Sequence, residues 1–115
     1  MEFWYALIIE KTPFMKKFFI RISPEAEMDI DRIYRYIAFE LMSPLTASRY
    51  VEGILEKMDS LKTFADMLAP NQRPFLRNRY GNKVRTITYK KMTIVYNIID
   101  DVVFVRCVMA GSIIK

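Results

Sequence analysis

Two stretches in the first half of the chain repeat apolar residues with the period of an α-helix. The first begins at Ser23-Pro24, because serine can accept a hydrogen bond from a free amide and proline suits the first helical position. It runs to about Leu41, and a second stretch begins at Ser43-Pro44 and reaches about Ala65. The apolar positions are Ile30, Ile33, Tyr34, Ile37, Ala38 and Leu41 in the first stretch and Ala47, Tyr50, Val51, Ile54, Leu55, Met58 and Leu61 in the second.

Four other stretches are rich in β-branched and aromatic residues, which favours β-strands. The last three are separated by only two residues each, which predicts an antiparallel meander. The middle strand of the three is apolar on both faces, so we expect it to be covered on both sides. The predicted strands are Lys17–Ile22, Val84–Tyr89, Met92–Ile99 and Val102–Met109.

The resulting element order is β-α-α-β-β-β, which belongs to the α+β class. The short connection between the two helices predicts an antiparallel helical hairpin, and we expect this hairpin to pack on an antiparallel sheet. Prolines, asparagines and a glycine make Asp66–Asn82 a predicted loop, part of which Pro74-Phe75-Leu76 pins to the core.

The composition excludes several classes of site. The chain has 115 residues, which suits one domain with one core. It contains no histidine and one cysteine, so zinc fingers, histidine metal sites and Ser-His or Cys-His catalysis are excluded. Cys107 is predicted to be a buried core residue, and we expect neither a metal nor a cofactor.

The N-terminal residues differ from the rest of the chain. Residues 1–14 form a predicted extension, upstream of a natural start at Met15, and 15–115 form the single domain. Trp4–Ile9 fits either an edge strand or a short helical turn. No signal peptide or membrane-spanning segment is recognised, so we expect a cytoplasmic protein without a membrane partner.

The charge is distributed unevenly along the chain. Residues 1–68 carry 9 basic and 11 acidic side chains, whereas residues 69–115 carry 9 basic and 2 acidic ones. This asymmetry predicts an anionic partner. The two acids of the second half, Asp100-Asp101, fit a hairpin turn better than acid–base catalysis. The cations predicted to bind a target or phosphate are Arg73, Arg77, Arg79, Lys83, Arg85, Lys90, Lys91 and Arg106, and they alternate with Phe75, Tyr80 and Tyr89 as in single-stranded nucleic-acid sites.

The order of elements and several short segments resemble the RelE/ParE toxins of type II toxin-antitoxin systems. The resemblance covers about Lys16 to Gly111. The segments that carry it are Ile22-Ser23-Pro24-Glu25-Ala26, Ser43-Pro44, Ala47-Ser48-Arg49-Tyr50, Val84-Arg85, Ile94-Val95-Tyr96 and Val105-Arg106-Cys107-Val108.

The resemblance implies a toxin of the plasmid-stabilisation type. Such a toxin binds an antitoxin that is encoded beside it, and the two proteins form a hetero-oligomer. It carries family roles over to Arg85, Tyr96 and Arg106, whereas Thr93 stands where ribonuclease members have arginine. Residues 110–113 likewise lack the histidine or arginine of those members. Catalysis without histidine would depend on Arg85, Tyr89 and Tyr96, of which Tyr96 is more simply explained as a core aromatic.

The long helical hairpin favours the ParE-like branch, which inhibits DNA gyrase by binding. The alternatives are ribosome-dependent cleavage of mRNA and a non-toxic relative that binds only antitoxin or nucleic acid. We expect Lys83, Arg85, Lys90 and Lys91 to converge on one phosphate or carboxylate cluster.

Overall fold

The structure, a computed structural model, describes residues 17–114. The predicted extension 1–14 and its Trp4–Ile9 segment lie outside the described residues. The strands are β1 (Phe19–Ile22), β2 (Arg85–Tyr89), β3 (Met92–Ile99) and β4 (Val102–Ala110). The α-helices are α1 (Pro24–Arg35), α2 (Pro44–Asp59), α3 (Leu61–Phe64) and α4 (Pro74–Tyr80), with a π-helical turn at Tyr36–Glu40 and 3₁₀ turns at Ala65–Met67 and Gly111–Ile113.

The four strands form one sheet in the order β1-β4-β3-β2. Strands β2, β3 and β4 pair antiparallel, which confirms the predicted meander and the α+β order. The expectation of an entirely antiparallel sheet is wrong at β1, which pairs parallel with β4, Phe19 lying opposite Val102. No hairpin joins these two strands, so no local turn signal in the sequence fixes their relative direction.

A β-bulge interrupts the pairing of β3 with β4. Val95 lies opposite Cys107 and Tyr96 lies opposite Val105, so Arg106 is the extra residue. Val105 packs in the cluster beneath the helices, and Cys107 packs in the cluster on the other face. The bulge therefore switches β4 from one face of the sheet to the other and leaves Arg106 exposed.

Helices α1 and α2 begin where the sequence predicts. The hydroxyl of Ser23 accepts from the amide of Ala26 at 3.0 Å and donates to the carbonyl of Arg106 at 2.9 Å, which fixes the start of α1 against β4. At its far end the helix widens, because the amide of Leu41 bonds the carbonyl of Tyr36 at 3.1 Å, five residues earlier.

The central strand is covered on both faces, as predicted. Ile94 and Tyr96 are buried against the helical hairpin, and Val95 is buried on the opposite face beside Leu76 of α4. The prediction of a loop over 66–82 is wrong at α4, a helix of seven residues that begins at a proline. Its buried Leu76 confirms that this segment is pinned to the core. No helix within residues 17–114 is long and apolar enough to cross a membrane.

Candidate functional site

An apolar groove lies where the helical hairpin meets the start of β3. Its floor consists of Ile33, Ile37, Tyr50 and Met92, and its cavity volume is about 370 Å³. Arg32 and Tyr36 complete its lining. We call this feature the hairpin groove. Its lining suits an apolar or amphipathic segment of another protein better than a charged small molecule.

The tip of the hairpin beside this groove exposes further apolar side chains. Tyr36 joins the two features, because it lines the groove and is also 51% exposed. Met42, at a left-handed φ of 52°, is 84% exposed. A soluble monomer rarely groups so many exposed apolar residues. This hairpin tip consists of Tyr36, Phe39, Leu41, Met42 and Leu45.

Lys90 and Tyr89 lie beside Tyr50, which lines the hairpin groove. The rings of Tyr50 and Tyr89 meet edge to face at a centroid distance of 5.4 Å, and the Lys90 ammonium lies 5.6 and 5.5 Å from their centroids. Burial and the neighbouring Tyr89 raise the pKa of Tyr50. Tyr89 also fills the space beside Gly53, where a Cβ would collide with its ring. Tyr89 is therefore packed between the sheet and α2.

Tyr96 and Arg85 are engaged by backbone carbonyls. The hydroxyl of Tyr96, a residue with 0% exposure, donates to the carbonyl of Ala65 at 2.7 Å. Nη1 of Arg85 donates to the carbonyl of Leu68 at 2.8 Å and, more weakly, to that of Ala65 at 3.4 Å. Burial raises the pKa of Tyr96 to about 12, against the opposing effect of Arg85. Tyr96 is thus a neutral hydrogen-bond donor near pH 7.

Three other predicted cations lie in α4 or close to its ends. Arg73 precedes the helix and donates through Nη1 to the carbonyl of Ile114 at 3.1 Å. Arg77 is half-buried, and its Nη2 donates to Oδ1 of Asn82 at 3.3 Å. Lys83 follows the helix and is exposed. These side chains surround α4 without forming a catalytic cluster.

Arg79 and Arg106 both lie over aromatic rings. The guanidinium carbon of Arg79 is 5.6 Å from the centroid of Phe75, and that of Arg106 is 5.4 Å from the centroid of Tyr80. Nη1 of Arg106 also donates to Oδ1 of Asn97 at 3.3 Å. These contacts hold two cations on the outer side of the sheet, beside α4.

The structure does not bring together the four cations that were expected to converge. Arg85 and Tyr89 lie at opposite ends of β2, about 13 Å apart along the strand. Arg85 is directed to the backbone at Leu68, whereas Lys90 lies over tyrosines beneath the helices. Lys91 lies in the same turn as Lys90. The predicted strand Val84–Tyr89 already implies the distance between Arg85 and Lys90, whereas the direction of Arg85 depends on the path of the segment before α4.

A polar pocket of about 230 Å³ occupies the region where the resemblance places ribonuclease residues. Thr93 and Gly111 both line it, so the two departures noted in the sequence fall in one place. The tyrosine candidates Tyr89 and Tyr96 do not line it. The full lining is Asn71, Arg73, Thr86, Thr88, Thr93, Gly111 and Ile114.

Cys107 is buried, as predicted, and its thiol accepts from the hydroxyl of Tyr80 at 3.3 Å. Burial raises the pKa of Cys107, and burial together with this hydrogen bond raises the pKa of Tyr80 to about 12. Within residues 17–114 no three cysteine, aspartate or glutamate side chains are grouped so that they could hold a metal ion. Neither Cys107 nor Tyr80 is activated for chemistry near pH 7.

Reasoning from the sequence located the candidate site on the cations and did not place the hairpin groove on particular residues. The floor residues Ile33, Ile37 and Tyr50 belong to the apolar stripes, so they were assigned to the core. A usable signal was present in Tyr36, Phe39 and other apolar residues outside those stripes.

Comparisons with known proteins agree with the fold. The family model described as "ParE toxin of type II toxin-antitoxin system, parDE" matches residues 20–113. A solved structure of the chromosomal ParDE system from P. aeruginosa is similar with a TM-score of 0.66 and 19% identity, over 82% of this chain and 96% of that one. The RelBE2 toxin-antitoxin complex from Mycobacterium tuberculosis is similar with a TM-score of 0.58 and 15% identity, over 85% and 95% of the two chains. No curated protein sequence is significantly similar.

Proposed function

Since the chain belongs to the ParE toxin family of type II toxin-antitoxin systems, we propose that it is a toxin that inhibits DNA gyrase by binding. It acts in the cytoplasm, its toxin domain spans 15–115, and an antitoxin encoded beside it neutralises it. The observation that favours binding over catalysis is that the side chains of the catalytic candidates are held by structural contacts. Tyr96 and Arg85 both donate to backbone carbonyls, and Tyr89 is packed against α2.

RNA cleavage at a 2′-hydroxyl requires a base, an acid and a cation on one accessible surface. Tyr96 is buried with a pKa of about 12, so it is a poor proton donor or acceptor near pH 7. The pocket at Thr93 contains hydroxyl groups and Arg73, but no base among its lining residues. Arg106, the third residue carried over from the resemblance, is stacked on Tyr80 away from that pocket. These arrangements favour a binding toxin over a ribonuclease.

The hairpin groove is the proposed site for the antitoxin. Its apolar floor would take apolar side chains of an amphipathic segment, while Arg32 in its lining and Lys90 beside Tyr50 would pair with acidic ones. The hairpin tip extends the apolar surface beyond the groove through Tyr36. Burying this surface would stabilise the complex, so we expect coexpression with the antitoxin to make the toxin more soluble.

Antitoxin binding is tested by isothermal titration calorimetry with the protein encoded next to the toxin gene. Tyr36→Glu places a charge against an apolar segment without opening the core, because Tyr36 is half exposed. We expect at least a tenfold loss of affinity, about 1.4 kcal/mol. The matched control is Ile99→Glu, an exposed apolar residue at the far end of β3. An equal effect of both variants, or of neither, would remove the groove from the proposal.

The target is tested with purified protein in two parallel assays, gyrase supercoiling and translation-dependent mRNA cleavage. We expect gyrase inhibition by the wild type, and unchanged inhibition per folded molecule in Tyr96→Phe, because this hydroxyl has only a structural partner. In cells, induction without the antitoxin should trigger the SOS response before mRNA decay. Cleavage of ribosome-bound mRNA that disappears in Tyr96→Phe would replace our proposal by the ribonuclease alternative.

A further inference from the structure

The cations around α4 form no ion pair within the described part of the protein. The ion pairs among residues 17–114 join Arg32 to Asp29, Arg35 to Asp31 and Lys62 to Asp59, all on the helical side of the sheet. The chain has no acidic residue between Asp66 and Asp100. We call the three exposed side chains at this location the α4 cation surface; they are Arg79, Lys83 and Arg106.

Two of these cations are held in fixed positions by their neighbours. Arg79 lies over Phe75 and Arg106 lies over Tyr80. Asn97 also restrains the Arg106 side chain, because its Oδ1 accepts from Arg106 while its Nδ2 donates to the carbonyl of Tyr80 at 3.2 Å. A guanidinium positioned in advance loses less conformational entropy when it binds a phosphate.

The same contacts exclude one mode of nucleic-acid binding. Single-stranded nucleic acid is held by bases that stack on free aromatic faces. Here each ring already has a guanidinium over it, and the Tyr80 hydroxyl bonds Cys107. The surface therefore offers charges for phosphates but no open ring for a base.

An acidic protein is the other class of anionic partner, and the exposed residues disfavour it. Protein interfaces depend on apolar and aromatic anchors at their centre. The large apolar residues that are exposed among 17–114 lie on other elements, notably the hairpin tip, and none falls within 73–83. A surface that carries cations without such anchors matches a repeating phosphate backbone.

We propose that the α4 cation surface binds the phosphate backbone of double-stranded nucleic acid without reading its sequence. This site lies on the opposite face of the sheet from the hairpin groove, so the proposal does not depend on the antitoxin or on gyrase. Three phosphate contacts would give a slope of about −2.7 in log K against log salt concentration.

The test is fluorescence anisotropy of the full chain with two labelled 20-base-pair DNA duplexes of unrelated sequence, between about 50 and 200 mM NaCl. The variant Arg79→Gln/Arg106→Gln removes the two stacked cations. The control Arg49→Gln/Lys57→Gln removes the same charge from exposed positions of α2, on the other side of the sheet. Thermal melting verifies that both variants are folded.

We expect the first variant to weaken binding of both duplexes about tenfold or more and to reduce the salt slope by about 2. The control should retain affinity within about twofold, since α2 packs on the face of the sheet opposite to α4. An equal loss in both variants would show only a general effect of net charge and would overturn the proposal. Strong preference for one duplex, no duplex binding, or tighter binding of a polyglutamate of equal charge would also overturn it.

Discussion

The hydroxyl of Tyr96 allows the sharpest test of the structure. Tyr96→Phe removes a buried hydrogen bond of 2.7 Å to Ala65 and leaves the ring in place. The expected cost is about 1 kcal/mol in the free energy of unfolding. For a domain of this size the melting temperature should fall by about 4 °C or somewhat more. Urea unfolding and thermal melting at pH 7 measure both quantities.

The pH dependence gives this prediction a second, independent signature. The pKa of Tyr96 is about 12 in the folded protein against an ordinary 10.0, because burial disfavours the phenolate. The stabilising contribution of the neutral Tyr96 phenol is fully present below pH 10 and is lost as the pH rises towards 12. At pH 11 the free energy of unfolding of the wild type should be lower by about 1.3 kcal/mol because of this titration, which the variant lacks. The difference between the two proteins should therefore nearly vanish at pH 11.

A control and a contrary result complete the experiment. Tyr36→Phe removes a hydroxyl from a half-exposed residue and should change the melting temperature at pH 7 by less than about 1 °C. If the stability difference caused by Tyr96→Phe is as large at pH 11 as at pH 7, the phenol is not shielded as described. If toxicity disappears while stability is unchanged, the hydroxyl acts in catalysis, and our assignment of a structural role is wrong.

Three further predictions concern other parts of the fold. Arg85→Ala should lower the free energy of unfolding, measured with urea, by about 2 kcal/mol, because the carbonyl of Leu68 loses its charged donor. If stability is unchanged while toxicity is lost, Arg85 is a functional residue instead. Gly53→Ala should destabilise the protein despite the better helix propensity of alanine, since the new Cβ collides with the Tyr89 ring; the double variant with Tyr89→Leu should recover most of the loss, and no recovery would point to another cause. A chain that begins at Met15 should remain soluble and bind its antitoxin in a pull-down assay, whereas insoluble protein would show that the extension belongs to the core.

Local signals explain which elements the sequence predicts correctly. Ser23-Pro24 and Ser43-Pro44 mark helix starts through chemistry confined to a few residues, and α1 and α2 begin at these prolines. The direction of β1 depends instead on its partner β4, some 83 residues away. Helix α4 escaped detection because seven residues between prolines and asparagines show too few turns of periodicity.

The site was less predictable than the fold, because its parts depend on packing between distant segments. Arg85 has the charge of a ligand-binding residue, but the carbonyl of Leu68 comes close enough to bind it. Tyr36 lies outside the regular helical stripe, and the π-helical turn that begins there has no distinct signal in the sequence. A periodic pattern identifies the side of a helix that is buried. Locating a groove also requires the relative positions of the elements that line it.

The parallel pairing of β1 with β4 has a consequence for how the toxin is made. The first described strand forms its backbone ladder only with residues 102–105, so translation must pass this point before the sheet can close. Closing a loop of that length costs about 4 kcal/mol of chain entropy, which late contacts across the whole sheet must offset. A chain that ends before β4 would thus lack a complete sheet and would be a substrate for proteases.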